Sequence, residues 1–472
     1  MSLKPPEPQD IVIIGVSGDL SRRKLLPALY NLAAGGLLPE RGSIIGMART
    51  DLTRDGFQEF ARQSVKEFSR SGFDESIWGV FAPRLTFVRL DDEGYAHLRE
   101  GAHDRQRLVY LAVPPSAVPS AVGALHDAGL VSGTRLVVEK PFGQDLKSAR
   151  ELSHILHRRF QESQIFRIDH YLGKETVQNI LVLRFGNSVF ERVWNRDAID
   201  HVQFTVAESI GIENRGAFYE ETGALRDMVQ NHALQVLSLL AMEPPASLAP
   251  ESIRDEKAKV MRAMRPLDPA RTARGQYTAG VIDGVAVPGY REEKDVAPDS
   301  MTETFFAAQL EIDTWRWAGV PFFLRTGKRL PRRATEAAIV FRETPLCFFE
   351  GTGVQELRPD HLVLRIQPNE GITLTFVAKQ PGPEVNVQLV SMDFSYSDSF
   401  MTEPAEAYER LLHDALDGDH TLFAREDSVE RAWMVIQPAL ENPASLCFYQ
   451  AGTWGPAEVD ELIAPRAWHL RR

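Results

Sequence analysis

The first 170 residues alternate regularly between patterns typical of strands and patterns typical of helices. Short apolar runs bounded by turn residues predict strands at 11–15, 43–48, 85–90, 108–113 and 135–139. Longer amphipathic stretches predict helices at 23–34, 57–69, 117–128 and 146–160. Because strands that alternate with helices form parallel sheets covered on both faces, we predict an α/β Rossmann-like domain with a doubly wound parallel sheet over residues 1–180.

The pattern changes after residue 180. Strands with alternating polar and apolar residues are predicted at 199–208, 303–312, 361–367, 372–378 and 387–394, mostly without helices between them. This is typical of a half-buried antiparallel sheet, so we predict an α+β domain with a large, mostly antiparallel sheet over residues 181–472. A segment at 243–298 is rich in Pro, Ala and Arg, and we interpret it as a surface excursion with one helix near 253–264.

Length, charge and cysteine content exclude several classes of protein. The 472 residues exceed what one hydrophobic core usually serves, and Cys347 and Cys447 are too few for a disulfide framework or a thiolate metal site. The formal charge of −12 argues against nonspecific binding to nucleic acid. No apolar run reaches the roughly 18 residues that span a membrane, and the polar start lacks a secretory signal. We therefore predict a soluble cytoplasmic protein without a metal.

A nucleotide site is predicted at the end of the first strand, where Gly15-Val-Ser-Gly-Asp-Leu20 opens a helix. Glycines allow a tight turn and a close approach to a pyrophosphate, and the helix N-terminus presents N–H groups to it. The predicted contacts are Gly15, Ser17, Gly18, Asp19 and Leu20. Because the spacing is Gly-x-x-Gly and not Gly-x-Gly-x-x-Gly, a plain strand-to-helix turn capped by the Ser or Asp is the alternative interpretation.

Three further strand ends add to this predicted site. The second strand ends in Arg49 and Thr50, where a protein that prefers NAD usually has an acidic residue. An arginine there can grip the 2′-phosphate of NADP, so NADP is favoured, while a solvated Arg49 would leave dual cofactor use open. Pro114 ends the fourth strand and Lys140 the fifth, at the edge where such sheets bind ligands. Lys140 either contacts cofactor and substrate or simply extends into water.

The stretch Arg167-Ile-Asp-His-Tyr-Leu-Gly-Lys-Glu175 packs a carboxylate, an imidazole, a phenol and an ammonium group into a few residues. His170, Tyr171 and Lys174 supply the positive charge and neutral donors that together hold a phosphate. Asp169 can orient a catalytic histidine from elsewhere in the chain. The sequence therefore predicts a site for an anionic, hydroxyl-rich ligand.

Six motifs together resemble those of the glucose-6-phosphate dehydrogenase family, in that family's order. They are Gly15-Val-Ser-Gly-Asp-Leu20, Glu139-Lys-Pro-Phe-Gly143, Arg167-Ile-Asp-His-Tyr-Leu-Gly-Lys-Glu175, Trp194-Asn-Arg-Asp197, Arg226-Asp-Met-Val-Gln-Asn-His232 and Phe323-Leu-Arg-Thr-Gly-Lys328. The later stretches Glu406-Ala-Tyr-Glu-Arg-Leu-Leu412 and Gly418-Asp-His-Thr-Leu-Phe423 extend the resemblance over nearly the whole chain. The resemblance implies oxidation of β-D-glucose 6-phosphate at C1 to 6-phospho-D-glucono-1,5-lactone, with hydride transfer to NADP, as in the first oxidative step of the pentose phosphate pathway.

The resemblance also implies roles for individual residues. His232 is matched to the general base that accepts the C1 hydroxyl proton, and Asp169 to the carboxylate that hydrogen-bonds its other ring nitrogen. The residues matched to the 6-phosphate are His170, Tyr171, Lys174 and Arg333. The residues matched to the sugar hydroxyls and to a further polar contact are Lys140, Glu208, Asp227, Lys328 and Gln367. Without the resemblance, position alone favours a structural role for His232 and exposed charge for Glu208, Lys328 and Arg333.

The spacing of Asp227 and His232 sets a geometric condition. Five residues on a regular α-helix separate two side chains by about 140°, so these two do not share a face. Both can reach one sugar only if the sugar lies along the helix end or the helix is locally irregular. A wide helical turn at this place would then be a functional feature.

Two other functions compete with this interpretation. A non-catalytic NADP-sensing protein on the same fold would be expected to lose the base or its partner, and a dehydrogenase for unphosphorylated sugars would be expected to lose the phosphate-binding cations. All of these residues are present in the sequence. The resemblance further implies a homodimer that pairs through the large sheet, with a tetramer as the alternative.

Overall fold

The computed structural model describes residues 4–100, 106–346, 348, 357–400 and 406–469. In this part of the chain the strands are β1 Gln9–Ile14, β2 Ile44–Ala48, β3 Leu85–Arg89, β4 Gln106–Leu111, β5 Thr134–Val138, β6 Ile165–Ile168, β7 Ile199–Ala207, β8 Thr272–Thr278, β9 Gly280–Ile282, β10 Val285–Val287, β11 Phe305–Leu310, β12 Phe322–Gly327, β13 Ala334–Phe341, β14 His361–Gln367, β15 Gly371–Lys379, β16 Val387–Ser395, β17 Phe423–Ala424 and β18 Leu446–Gln450.

The α-helices in the same residues are α1 Leu26–Ala34, α2 Arg54–Phe68, α3 Glu75–Phe81, α4 Asp92–Glu100, α5 Val118–Asp127, α6 Leu146–His157, α7 Glu175–Phe185, α8 Ser188–Glu191, α9 Gly216–Ala224, α10 Leu234–Ala241, α11 Pro250–Ala263, α12 Tyr396–Phe400, α13 Ala407–Asp417, α14 Glu426–Glu441 and α15 Glu458–Ile463. Two π-helical stretches, Ser21–Leu25 and Leu225–Ala233, precede α1 and α10. Short 3₁₀ turns lie at Ala82–Arg84, Pro115–Ala117, Glu162–Gln164, Pro269–Arg271 and Tyr290–Glu292.

The chain forms two compact units. The first comprises Met1–Lys174, Pro245–Asp255 and Ala405–Glu430, and the second comprises Glu175–Pro244, Glu256–Pro404 and Arg431–Arg472. Each unit is therefore assembled from three separate stretches of the sequence.

The first unit contains a parallel sheet with the strand order β3-β2-β1-β4-β5-β6, to which β17 adds an antiparallel edge. The apolar run of β1 is completely buried, as expected for a central strand that is covered on both faces. The order reverses between β1 and β4, so their carboxyl ends border the crevice where sheets of this kind bind ligands. The predicted Rossmann-like doubly wound sheet is confirmed.

The second unit contains a sheet with the order β16-β15-β14-β13-β7-β12-β11-β8-β18. Most neighbouring strands are antiparallel, and the pairs β7–β12 and β8–β18 are parallel. One face of this sheet is covered by a core that includes Tyr277, Phe305, Phe323, Tyr449 and Trp468. The prediction of a large, mostly antiparallel sheet is confirmed.

The interpretation of residues 243–298 as a surface excursion is wrong for the second half of that segment. The predicted helix is present as α11, but Thr272–Thr278 is a largely buried strand paired with both β11 and β18. Its polar side chains are satisfied inside the unit, because the Gln276 amide donates to the carbonyl oxygens of Ser300 (3.1 Å) and Thr302 (2.9 Å). Strands β6, β12 and β13 also form in places where no strand was predicted.

In the part of the chain that the structure describes, no helix combines the length and the apolar character needed to cross a bilayer. Cys447 is a free thiol, and burial raises its pKa to about 11. Cys347 lies outside the described residues.

Candidate active site

The predicted phosphate loop joins β1 to the first helix. Gly15 has a φ of +95°, and a Cβ at this position would lie 2.2 Å from the carbonyl oxygen of Ala112. Only glycine fits such a turn. The Gly15 and Val16 amides both donate to the Met47 carbonyl, which ties the loop to β2. The helix begins at Asp19, so the N–H groups of its first turn, which lack intrahelical acceptors, face the loop.

An open cleft of about 540 Å³ lies beside this loop, a size suited to a cofactor. Six of the predicted cofactor contacts line it: Gly15, Ser17, Gly18, Arg49, Thr50 and Pro114. The predicted contacts Asp19, Leu20 and Lys140 do not line it. The lining residues that were not predicted include Leu90, Tyr95, Ser120, Ala121 and Ala124. Nothing in their side chains indicates nucleotide binding. They line the cleft because of where they lie in the fold, after β3 and in α4 and α5.

The electrostatic character of the cleft depends on one cation. Arg49 and Thr50 follow the last residue of β2 and are exposed. Among the described residues that line the cleft, Arg49 is the charged one, and no carboxylate accompanies it. This end of the cleft therefore suits an anionic group better than a neutral diol.

The predicted phosphate-binding residues form one compact turn after β6. The Asp169 carboxylate accepts a hydrogen bond from the Tyr171 amide at 3.0 Å, and the Lys174 amide donates to the Tyr171 carbonyl at 3.2 Å. Lys174 Nζ lies 5.4 Å from the centre of the Tyr171 ring, and the His170 ring lies 5.1 Å from it. The imidazole, phenol and ammonium groups are thus brought together, as predicted.

Lys140 follows β5 and is joined to Pro141 by a cis peptide bond. The preceding residue, Glu139, accepts hydrogen bonds at the same oxygen from the hydroxyls of Tyr110 (2.5 Å) and Tyr408 (3.1 Å). Burial raises the pKa of Glu139, and the two phenols and the Lys140 ammonium act in the opposite direction. The sequence offered no reason to pair Glu139 with either tyrosine.

His232 and Asp227 lie in the π-helical stretch Leu225–Ala233. Hydrogen bonds from i to i+5 bring residues five apart onto successive turns of such a helix, so these two side chains share a side of it. Of the two arrangements that their spacing allows, a sugar along the helix end or a locally irregular helix, the structure contains the irregular helix. Glu303 fixes the start of this π-helical stretch. Its Oε1 atom accepts a hydrogen bond from the Leu225 amide at 3.2 Å. The same oxygen would lie 2.5 Å from a Cβ on Gly223, a residue with a φ of +62°.

Glu208 and Lys328 follow the ends of the parallel neighbours β7 and β12, which explains why they meet. Lys328 Nζ lies 2.5 Å from Glu208 Oε2 and 5.1 Å from the centre of the Tyr219 ring. Burial raises the pKa of Tyr219 well above its usual value, and the negative charges of Asp227 and Glu208 add to the effect. The Lys328 ammonium group, which Glu208 accepts from, therefore lies over one phenol, Tyr219, which sequence reasoning missed.

Arg333 and Gln367 form a second polar pair in the same unit. Arg333 Nη2 donates to Gln367 Oε1 at 3.0 Å, and the Gln367 amide donates to Thr335 Oγ1 at 3.0 Å. Arg333 is exposed, so its guanidinium group is accessible to an anion. The predicted substrate residues of the second unit thus fall into two groups, one around Tyr219 and one at Arg333.

A doubly wound sheet with a glycine phosphate loop, together with a second unit that presents a histidine, carboxylates and cations, defines a dinucleotide-dependent dehydrogenase of a small anionic substrate. Residues 12–179 match the family model described as glucose-6-phosphate dehydrogenase, NAD binding domain. Residues 181–469 match the model described as glucose-6-phosphate dehydrogenase, C-terminal domain. The chain belongs to the glucose-6-phosphate dehydrogenase family, a family of oxidoreductases.

Individual relatives agree over almost their full length. The chain is 46% identical to glucose-6-phosphate 1-dehydrogenase 2 of Mycobacterium tuberculosis strain H37Rv, covering 98% of this chain and 95% of the relative. It is 48% identical to glucose-6-phosphate 1-dehydrogenase of Aggregatibacter actinomycetemcomitans, with 97% and 96% covered. A solved glucose-6-phosphate dehydrogenase in complex with its substrate glucose-6-phosphate superimposes with a TM-score of 0.91 at 37% identity, with 100% of both chains covered.

Proposed function

We propose that this chain is a glucose-6-phosphate 1-dehydrogenase, which oxidises β-D-glucose 6-phosphate at C1 to 6-phospho-D-glucono-1,5-lactone and reduces NADP. The observation that carries the proposal is the full-length similarity to enzymes of that name, one of them solved with glucose 6-phosphate. The π-helical turn that brings Asp227 and His232 to one side also supports it, since it allows both side chains to reach one ligand.

The residues of the nucleotide cleft fit NADP. The φ of Gly15 and the closeness of the Ala112 carbonyl keep the loop free of side-chain bulk, so a pyrophosphate can approach the backbone. Arg49 meets the 2′-phosphate with its guanidinium fork, and Thr50 adds a hydroxyl. NADP, when bound, supplies the nicotinamide ring that accepts the hydride.

His232 acts as the general base. It takes the proton of the C1 hydroxyl while the C1 hydrogen leaves as hydride, and an imidazole is the side chain most often used for such a proton transfer. Asp169 hydrogen-bonds the other ring nitrogen and stabilises the imidazolium that forms. Full burial of the His232 side chain supports this role, because it keeps bulk water from competing for the proton.

The remaining predicted residues bind the sugar phosphate. His170, Tyr171, Lys174 and Arg333 hold the 6-phosphate, and the compactness of the first three in one turn supports their joint role. Lys140, Glu208, Asp227, Lys328 and Gln367 contact the hydroxyls and the remaining polar atoms of the sugar. Polar groups that a bound sugar covers reject a sugar that leaves one of them without a partner.

A homodimer is the proposed assembly, formed through the β16 end of the large sheet. On one face of β15 and β16, apolar side chains stand directly opposite each other: Ile372 and Phe394, Leu374 and Met392, Phe376 and Val390. They are partly or largely exposed, with Met392 63% exposed, and an apolar patch of this kind is typical of an interface. In sedimentation experiments, Met392→Asp should behave as a monomer where the natural chain forms a dimer. A tetramer is the alternative assembly.

Cytoplasmic location and chemistry without a metal stay predictions.

The test of the reaction is the initial rate of NADPH formation by the purified protein with glucose 6-phosphate. NAD is supplied in parallel, and free glucose is the control. Rapid reduction of NADP with the phosphorylated sugar is the expected result. Absence of reduction with either cofactor, in folded protein that binds NADP, would favour the non-catalytic sensing function instead.

A further inference from the structure

The C-terminal motif that begins at Glu406 packs against the phosphate-binding turn within the first unit. A Cβ on Gly173, in that turn, would lie 2.8 Å from the carbonyl oxygen of Ala407, the first residue of α13. An ion pair joins Glu406 to Lys24, and Glu409 accepts from Arg70 Nε at 2.7 Å and Nη2 at 2.8 Å. The start of α13 is therefore anchored to the π-helical stretch Ser21–Leu25 and to the turn that follows α2, and it has a defined position beside His170.

Tyr408, in the first turn of α13, touches two parts of the predicted site at once. Its ring stacks on the ring of His170 with a centroid distance of 6.2 Å and an interplanar angle of 15°. Its hydroxyl donates to Glu139 Oε1 at 3.1 Å, and Glu139 is joined directly to Lys140. Tyr408 itself is only 8% exposed, so it does not depend on solvent for its position.

We propose that Tyr408 is a positioning residue for substrate binding, acting on His170 through its ring and on Lys140 through its hydrogen bond to Glu139. The proposal rests on the proposed function, which assigns His170 to the 6-phosphate and Lys140 to the sugar. Neither contact of Tyr408 is with the substrate. Its role is to fix the rotamer of the imidazole and the path of the backbone that carries the ammonium group.

The two contacts have separable effects. Loss of the ring lets the His170 imidazole rotate, which weakens the binding of the phosphate group. Loss of the hydroxyl leaves Tyr110 as the remaining phenol donor to the Glu139 carboxylate. The lost hydrogen bond loosens Glu139 and so shifts the adjoining Lys140. Loss of the ring should therefore weaken the affinity for phosphate, whereas loss of the hydroxyl should lower kcat.

The experiment compares Tyr408→Leu, Tyr408→Phe and the unchanged chain. For each, kcat, the KM values for glucose 6-phosphate and NADP, and the inhibition constant of inorganic phosphate against glucose 6-phosphate are measured. Tyr30→Phe is the matched control, since Tyr30 is a buried tyrosine of the same unit whose hydroxyl bonds to the Asp74 backbone, away from the predicted site. The melting temperature of each variant reports on folding.

For Tyr408→Leu we expect the KM for glucose 6-phosphate and the inhibition constant of phosphate to rise together by about tenfold, equivalent to about 1.4 kcal/mol. The KM for NADP should rise by less than the KM for glucose 6-phosphate, whereas a purely structural role would raise both equally. For Tyr408→Phe, which keeps the ring, kcat should fall by about tenfold while the phosphate constant stays unchanged.

Each outcome decides the proposal. Unchanged sugar-phosphate constants in folded Tyr408→Leu, or losses spread equally over glucose 6-phosphate and NADP, would overturn the role of the ring. Should the Leu variant fail to fold, Tyr408→Phe with natural kcat would by itself overturn the role of the hydroxyl. Lack of activity in the unchanged chain would instead refute the proposed function and would not depend on Tyr408.

Discussion

Replacement of Arg49 by alanine tests the cofactor assignment most directly. The guanidinium group lines the cleft at the end of β2, and no carboxylate among the described lining residues competes for it. A hydrogen bond to a charged group contributes about 1.5–3 kcal/mol, and exposure of Arg49 reduces this to about 1–2 kcal/mol. The KM for NADP should therefore rise by about 5- to 30-fold. The KM for NAD should stay within about twofold, because NAD has no 2′-phosphate.

The assay is steady-state reduction of each cofactor at saturating glucose 6-phosphate. Arg41→Ala is the matched control, because Arg41 is an exposed arginine that precedes β2, at the opposite end of that strand from Arg49. Arg49→Lys keeps the charge, loses the planar fork and should give an intermediate value. Salt should lower the NADP preference of the unchanged chain more than that of Arg49→Ala, since an exposed ion pair is screened. Equal losses with NADP and NAD would refute the assignment of Arg49.

Three further predictions concern the base, the phosphate loop and the C-terminal segment. His232→Asn should lower kcat by about 10²- to 10⁴-fold while glucose 6-phosphate still binds in calorimetry; near-natural kcat would remove His232 from the mechanism. Gly15→Ala places a Cβ 2.2 Å from the Ala112 carbonyl, so NADP binding measured by fluorescence should be lost; a natural dissociation constant would contradict the loop geometry. Arg466 holds the pKa of Asp200 at about 2, below its unfolded value of about 3.9. The resulting stability is present above pH 4 and is lost towards pH 2, so the melting temperatures of the unchanged chain and Asp200→Asn should differ at pH 6 and converge at pH 2.

The sequence predicts those elements of the fold whose patterns are regular. The strands of the parallel sheet are short apolar runs between turn residues, and their burial in the structure follows from that pattern. Strand β8 escapes prediction because Arg274, Gly275 and Gln276 interrupt any alternation. The half-buried Arg274 and the buried Gln276 find partners from other segments, Ala444 and Ser300, which no local pattern indicates.

The candidate site divides in the same way. The π-helical turn is one of two arrangements that a local argument allows, because the five-residue spacing of Asp227 and His232 is incompatible with one face of an α-helix. The hydrogen bond between Tyr408 and Glu139 joins residues 269 positions apart in the sequence. Tyr219 gains its place under Lys328 only once the ends of two parallel strands are brought together. Local chemistry is therefore predictable here, while the residues that support it depend on tertiary structure.

Because the first unit is built from three segments of the chain, it cannot be completed until late in synthesis on the ribosome. Its last segment begins at Ala405, roughly 230 residues after the first segment ends at Lys174. At about 5–20 residues per second, the nascent chain carries the incomplete unit for about 10–45 s. During that interval β6 lacks its neighbour β17, and an open strand edge invites pairing with other chains. The nucleotide unit is thus made first and completed late, and nascent chains that stall before Ala405 should be the ones that aggregate or recruit chaperones.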